Sequence, residues 1–248
     1  MHHFFVTPEC VNDENIIISG SDVNHIKNVL RMKQGEELLV SDGQGKDYLC
    51  EIASVDSEQV IARIIDGEYG GTELKTKFYL FQGMPKSDKM ELIIQKAVEL
   101  GCFEIIPVQT KRSIVKLDKK KEESKLKRWN AISESAAKQS RRSIVPEVKP
   151  VMTFKEAVEY AKAFDVNLIP YENFKGMRET KEAISKVSSE QRVGIFIGPE
   201  GGFEESEVDL AVDNDVLRIS LGKRILRTET AGMTILSVLM FKLEGEQD

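Results

Sequence analysis

The chain has 248 residues, of which 41% are hydrophobic and 31% charged, with a formal net charge of −6 and a sequence pI of about 5.4. This is the mix of a globular protein with one good core or two modest ones, and it excludes disordered, collagen-like and disulfide-stapled classes. The acidity argues against a nucleic-acid partner when taken whole, but it is uneven: residues 1–72 hold 5 Lys and Arg against 13 Asp and Glu, whereas residues 111–149 hold 13 against 5.

In chain order, short β-branched and aliphatic runs at 4–6, 16–19, 37–42, 47–55 and 59–65 are separated by Asp-Gly turns and read as strands. One helix over 22–32, with Val23, Ile26, Val29 and Leu30 as its apolar stripe, interrupts them. Several strands with one helix predict a small β-barrel over residues 1–70, and the Gly-rich stretch 67–72 reads as a linker.

From residue 75 strands and helices alternate. Strands are expected at 77–83, 103–109, 164–170, 192–198 and 216–222, with helices at 88–100, 122–140, 178–187 and 204–213. Thr153 and Glu156 form a capping-box pair opening a helix to about 163. The last helix, 228–243, is apolar around most of its circumference, which predicts burial by its own core or by a partner subunit. Such alternation predicts an α/β domain over 75–248 with a mostly parallel sheet covered on both faces. Ligands gather at the carboxyl ends of strands in such sheets.

All three histidines, His2, His3 and His25, lie near the start, so a site built from later residues works without imidazole. That removes Ser-His-Asp and Cys-His catalysis and His-ligated metals, and no metal is expected. Cys10, Cys50 and Cys102 are far apart and form no short motif, which suits a reducing cytoplasm. No apolar run approaches the ~20 residues that span a bilayer, and the start lacks the pattern of a signal peptide.

Three loops after late strands carry the unusual chemistry: 168–173, 197–203 (Ile-Gly-Pro-Glu-Gly-Gly-Phe) and 221–231 (Leu-Gly-Lys-Arg-Ile-Leu-Arg-Thr-Glu-Thr-Ala). Glycines permit close backbone approach to a ligand, although a tight strand–helix turn without ligand would use them too. The G-x-x-G-G spacing is neither a Walker loop nor a dinucleotide fingerprint, and Glu200 would repel a phosphate.

The Gly-Pro-Glu-Gly-Gly-Phe motif at 198–203 and the run at 221–231, with the Met-His-x-Phe-Phe start, Lys89-Met90-Glu91, the run Gln95 to Gly101, Arg112-Ser113, Arg128-Trp129 and Gln139-Ser140-Arg141-Arg142, resemble the RsmE family of SPOUT methyltransferases along nearly the whole chain. The resemblance implies an N-terminal PUA-like barrel and a C-terminal SPOUT domain with a trefoil knot, a rare exception to ordinary chain topology. It implies S-adenosyl-L-methionine (SAM) as methyl donor, N3 of a uridine in small-subunit ribosomal RNA (free or in the assembled subunit) as acceptor, and a homodimer. Leu168, Ile197, Gly198, Pro199, Glu200, Gly201, Leu221, Gly222, Ile225, Leu226 and Thr230 are the expected cofactor residues, offering an apolar slot, backbone N–H groups and a carboxylate suited to a sulfonium.

Uridine N3 reacts only after losing its proton, and with no histidine available Arg227 and Glu229 are the charged residues in position. Arg227 would stabilise the uracil negative charge, and Glu229 would orient the acceptor or take the proton. The competing reading is that Glu229 caps the last helix and pairs with Arg227. Lys27, Arg31, Arg112, Ser113, Lys125, Arg128, Arg141 and Arg142 are expected RNA contacts, against the alternative of a solvated helix face. Trp129 reads as core. Rival functions are a SPOUT methyltransferase for another RNA position, or an RNA-binding assembly factor without catalysis.

Overall fold

The computed structural model describes residues 1–115 and 117–244, which divide into two compact units. The first unit comprises 1–73 together with 137–145. Its strands are β1 (His2–Phe5), β2 (Asn15–Ser19), β3 (Glu37–Ser41), β4 (Asp47–Val55) and β5 (Gln59–Tyr69), ordered β1-β3-β4-β5-β2 in a mixed half-barrel sheet. Only the β1–β3 pair is parallel. Period-two patterning sets the faces: Ile16 and Ile18 are buried while Ile17 between them is exposed. The stretch expected as a linker is partly strand, because β5 runs on to Tyr69.

The helix of this unit begins as α1 (Ser21–Asn24) and continues as a π-helical turn over His25–Leu30. Widening from i→i+4 to i→i+5 bonding shifts the phase of the stripe. Val23 and Ile26 therefore reach the core while Val29 is turned outward at 61% exposure, contrary to the stripe read from a 3.6-residue period.

Residues 137–145 join this unit through buried polar contacts that no local pattern announces. Glu73 accepts from Arg142 Nε at 2.7 Å, from Arg142 Nη2 at 2.6 Å and from the Ser143 N–H at 2.8 Å. Asp47 accepts the hydroxyls of Ser41 and Ser143, and Ser41 also bonds His3 Nε2 at 2.6 Å.

The second unit, 74–136 and 146–248, is an α/β/α sandwich. Its elements are β6 (Lys77–Gly83), α2 (Lys89–Glu99), β7 (Cys102–Gln109), α3 (Lys119–Ser140, its last residues in the first unit), β8 (Glu147–Val148), β9 (Met152–Thr153), α4 (Phe154–Ala161), β10 (Val166–Pro170), α5 (Met177–Ser185), β11 (Arg192–Ile197), α6 (Glu205–Val212), β12 (Leu217–Ile219) and α7 (Thr228–Glu244). All strand pairs are parallel, ordered β12-β10-β11-β6-β7-β8, with β9 also on β7. The Thr153–Glu156 capping box forms and opens α4.

One face of the sheet packs on α4 and α6 through Tyr79, Phe81, Ile106, Phe154 and Phe196, with Phe81 and Phe196 stacked at 4.3 Å. Helices α2 and α7 pack against each other and onto the sheet. Met90, Ile93, Ile94, Ala97 and Val98 of α2 are buried, and so is Trp129 of α3. Helix α7 is less enclosed than its composition implies: Ile235, Leu236 and Leu239 are buried, but Val238 is 42% and Phe241 81% exposed.

Arg142 is 4% exposed and its partner Glu73 is 21% exposed, so breaking the pair leaves a charge in a poor solvent. Arg142→Ala is expected to lower unfolding free energy by about 3 kcal/mol in urea titration, and the Glu73→Ala/Arg142→Ala pair to recover part of that loss.

Candidate active site

Strands β6, β10, β11 and β12 all point their carboxyl ends to one rim of the second unit, because parallel pairing aligns them. The loops beyond those ends enclose a cavity of about 380 Å³. Pro170, Tyr171 and Glu172 form one wall, Ile197 to Glu200 with Gly202 and Phe203 a second, and residues 220–228 with Ala231 a third. Lys89, the first residue of α2, completes it.

The walls meet at a close backbone approach. A Cβ on Gly83 would lie 2.6 Å from Pro199 Cδ and 2.7 Å from Pro199 N, so only glycine lets the end of β6 seat the 198–203 loop. The Thr228 hydroxyl donates to the Gly198 carbonyl at 2.6 Å and accepts from Gln82 Nε2 at 2.9 Å. One side chain thus ties the start of α7 to β6 and to the loop after β11. Gly222 sits at φ +107 with open space beyond it, a left-handed position that lets the third wall turn.

Charge in the site is organised by Lys89. Its ammonium lies 3.2 Å from Glu200 Oε1 and 3.4 Å from Glu229 Oε2. The Lys86 N–H also donates to both Glu200 oxygens, at 3.1 and 3.3 Å. Desolvation pushes the Glu200 carboxyl up, but its own N–H, that of Lys86 and the Lys89 ammonium outweigh it and hold it below the ordinary carboxylate value. The hydrogen bond to Glu200 is the largest influence on Lys89 and raises it, against desolvation and with help from Glu229.

Of the residues expected to hold a cofactor, Ile197, Gly198, Pro199, Glu200, Leu221, Gly222, Ile225 and Leu226 line the cavity. Leu168 does not, because it is wholly buried within β10, and neither do Gly201 or the exposed Thr230. Gly201 instead packs on Arg112, which donates to its carbonyl at 2.9 Å. Arg227 lines the cavity, and its side chain makes no ion pair among the described residues. Glu229 is not on the lining and pairs with Lys89, so the Arg227–Glu229 pair of the competing reading does not form. Tyr171, Glu172, Lys223, Arg224 and Thr228 are lining residues that reasoning from sequence did not single out, though each falls in a loop it did. For Gln82 the one signal in the sequence is a polar side chain near the end of an otherwise apolar strand.

The expected RNA contacts divide as well. In the first unit Lys27, Arg31 and Arg141 are exposed, but Arg142 is turned inward onto Glu73. In the second, Arg128 is exposed while pairing with Glu91 at 2.8 Å, Lys125 lies 5.8 Å from the Trp129 ring centre, and Arg112 pairs with Glu204 at 3.3 Å. Ser113 is buried, its hydroxyl 2.9 Å from that of Thr110, and so is not presented to a ligand.

Two family descriptions match the chain, "RNA methyltransferase domain" over residues 72–240 and "RNA methyltransferase PUA domain" over 18–65, and together they define the class. The ribosomal RNA small subunit methyltransferase E of Bacillus subtilis is 39% identical over 92% of this chain and 90% of its own length, and that of Mesomycoplasma hyopneumoniae is 36% identical over 96% and 98%. The crystal structure of the Neisseria gonorrhoeae enzyme of that name, bound to S-adenosyl methionine, superposes with a TM-score of 0.84 at 30% identity over 98% of both chains. The chain belongs to the ribosomal RNA small subunit methyltransferase E family.

Two outcomes are expected. Gly83→Ala pushes the 198–199 backbone out of place and weakens ligand binding in the cavity by about tenfold or more by calorimetry, with the first unit's core unaffected. The Lys89–Glu200 pair persists while Glu200 is ionised and Lys89 charged. Its contribution is present above the ordinary carboxylate value of 4.5 and is lost as acid passes the depressed Glu200 value. At the alkaline end it is present below 10.5 and is lost as pH rises through the elevated Lys89 value. Ligand affinity followed from pH 5 to 9 is therefore flat with respect to this pair.

Proposed function

We propose that the chain transfers the methyl group of SAM to N3 of a uridine in small-subunit ribosomal RNA, free or within the assembled subunit. The observation that carries this reading is Arg227, without an ion pair among the described residues, on the wall of a cavity that also offers apolar surface, glycine backbone and carboxylates. Ile197, Phe203, Leu221, Ile225 and Leu226 suit an adenine, and the backbone of Gly198, Gly202 and Gly222 suits close hydrogen bonding. Glu172 and Glu200 suit a ligand bearing a sulfonium and an ammonium. When bound there, SAM supplies an electrophilic methyl group.

The protein's share of the reaction is placement and charge. Arg227 stabilises the negative charge that gathers on uracil as the N3 proton leaves to a carboxylate or to water, and Glu229, held by Lys89 just off the cavity lining, is the carboxylate proposed to orient the acceptor or take that proton. The N3 lone pair then forms the new N–C bond as the C–S bond breaks and the sulfur regains its electron pair. Lys223 and Arg224, exposed beside Arg227, and Lys27, Arg31, Arg112, Lys125, Arg128 and Arg141 suit contact with phosphates.

The same reading includes a trefoil knot within the second unit, which the membership of the ribosomal RNA small subunit methyltransferase E family supports. It includes a homodimer, supported by Val238 and Phe241 left exposed on α7 and by Leu92 on the adjoining α2. It places the protein in the cytoplasm, where Cys10, Cys50 and Cys102 stay reduced. Among the described residues, no helix is long and apolar enough to cross a membrane.

Naked rRNA and isolated small subunits, each offered with labelled SAM, should accept label at uridine N3 by nucleoside mass spectrometry. Arg227→Ala should lower the transfer rate about 10²-fold or more while SAM affinity stays within a few-fold. Near-normal transfer by that variant would overturn the role given to Arg227, and label at another nucleoside would overturn the target.

A further inference from the structure

Lys89 meets two carboxylates that come from different segments around the site. Glu200 comes from the loop after β11 and Glu229 from the first turn of α7, and no chain segment joins them locally. Lys89 itself lines the cavity and is 30% exposed, whereas Glu229 is 16% exposed and does not line it. The two carboxylates are held unequally. Glu200 also accepts the Lys86 N–H, shared between its two oxygens, a contact that does not involve the Lys89 ammonium. Glu229 Oε2 is buried with no hydrogen-bond partner among the described residues, so the ammonium is the group that balances its charge.

We propose that Lys89 is a positioning residue for methyl transfer, holding the Glu229 carboxylate in its working place while anchored on the cofactor loop through Glu200. This rests on the methyltransferase reading above and deepens it. The asymmetry separates two effects. Loss of the ammonium leaves the Glu200 loop pinned by Lys86, so the cofactor still binds. It leaves Glu229 a buried carboxylate without a counter-charge, free to swing away or to take up a proton, so transfer fails.

The test uses the full chain with isolated small subunits in single-turnover assays, SAM affinity by calorimetry and thermal melts for folding. Lys89→Met should lose about 10²-fold in transfer rate while SAM affinity changes less than about threefold, and Lys89→Arg should restore most of the rate. Glu229→Gln should cost a similar factor, and the Lys89→Met/Glu229→Gln double variant should be no slower than the worse single one, because both remove the same contribution. A normal rate for Lys89→Met would overturn the role. So would additive losses in the double variant, or rate and SAM affinity falling together as they would for a residue that merely supports the loop. If Lys89→Met does not fold, Lys89→Gln serves in its place, and a fully active Lys89→Gln would equally overturn it. Failure of the unmodified chain to transfer methyl to the subunits would overturn the underlying function, which the wild-type arm reports on its own.

Discussion

The cavity depends on one meeting of three chain segments that are far apart in sequence. Gly83 ends β6 against the backbone of Gly198 and Pro199, and the Thr228 hydroxyl bonds both Gln82 and the Gly198 carbonyl. The contacts are buried and involve backbone, so they tolerate little substitution: a methyl group at Gly83 has no room. Once these segments are fixed, the direction of α7 follows, and with it the positions of Arg227 on the wall and Glu229 beside Lys89. The third wall needs no regular structure of its own, since β12 is three residues long and the chain from 220 to 227 is held at both ends.

Electrostatics in the site reflects the same economy. The carboxylates of Glu200 and Glu229 share one ammonium, which leaves Arg227, Lys223 and Arg224 without acidic partners among the described residues. The division suits the proposed reaction, in which paired charges would shape the pocket for a cationic donor and the others would meet a polyanionic acceptor. In the first unit Arg142, which by charge alone belongs with the acceptor-facing group, is withdrawn to bind Glu73 and hold 137–145 in place.

Much of the fold was legible in the residues themselves. The strands at 47–55 and 77–83 and the buried face of α2 follow from period-two and 3.6-residue patterns, and the capping box at Thr153 is readable from two side chains. Most cavity-lining residues fall in the three loops marked by glycine and charge. The misreadings have particular physical causes. Val29 is exposed because the helix widens to π winding, Leu168 is core because it lies inside β10 and not beyond its end, Ser113 turns in to bond Thr110 three residues back, and Arg142 pairs with Glu73, 69 residues away in the chain.

The amino-acid sequence by itself excluded chemistries, through the absence of histidine beyond residue 25 and a glycine loop unsuited to phosphate, and its loop motifs carried the resemblance that implies methyl transfer. Those are local properties, set by which residue types are present and how they are spaced. Tertiary structure alone decided the pairings. That Lys89 rather than Arg227 meets Glu229, that Thr228 closes the site through Gln82, and that 137–145 belongs with the first unit all depend on contacts across many residues. Such contacts leave no periodicity behind, because their geometry is set by how the sheet and its loops pack and not by the order of residues along the chain.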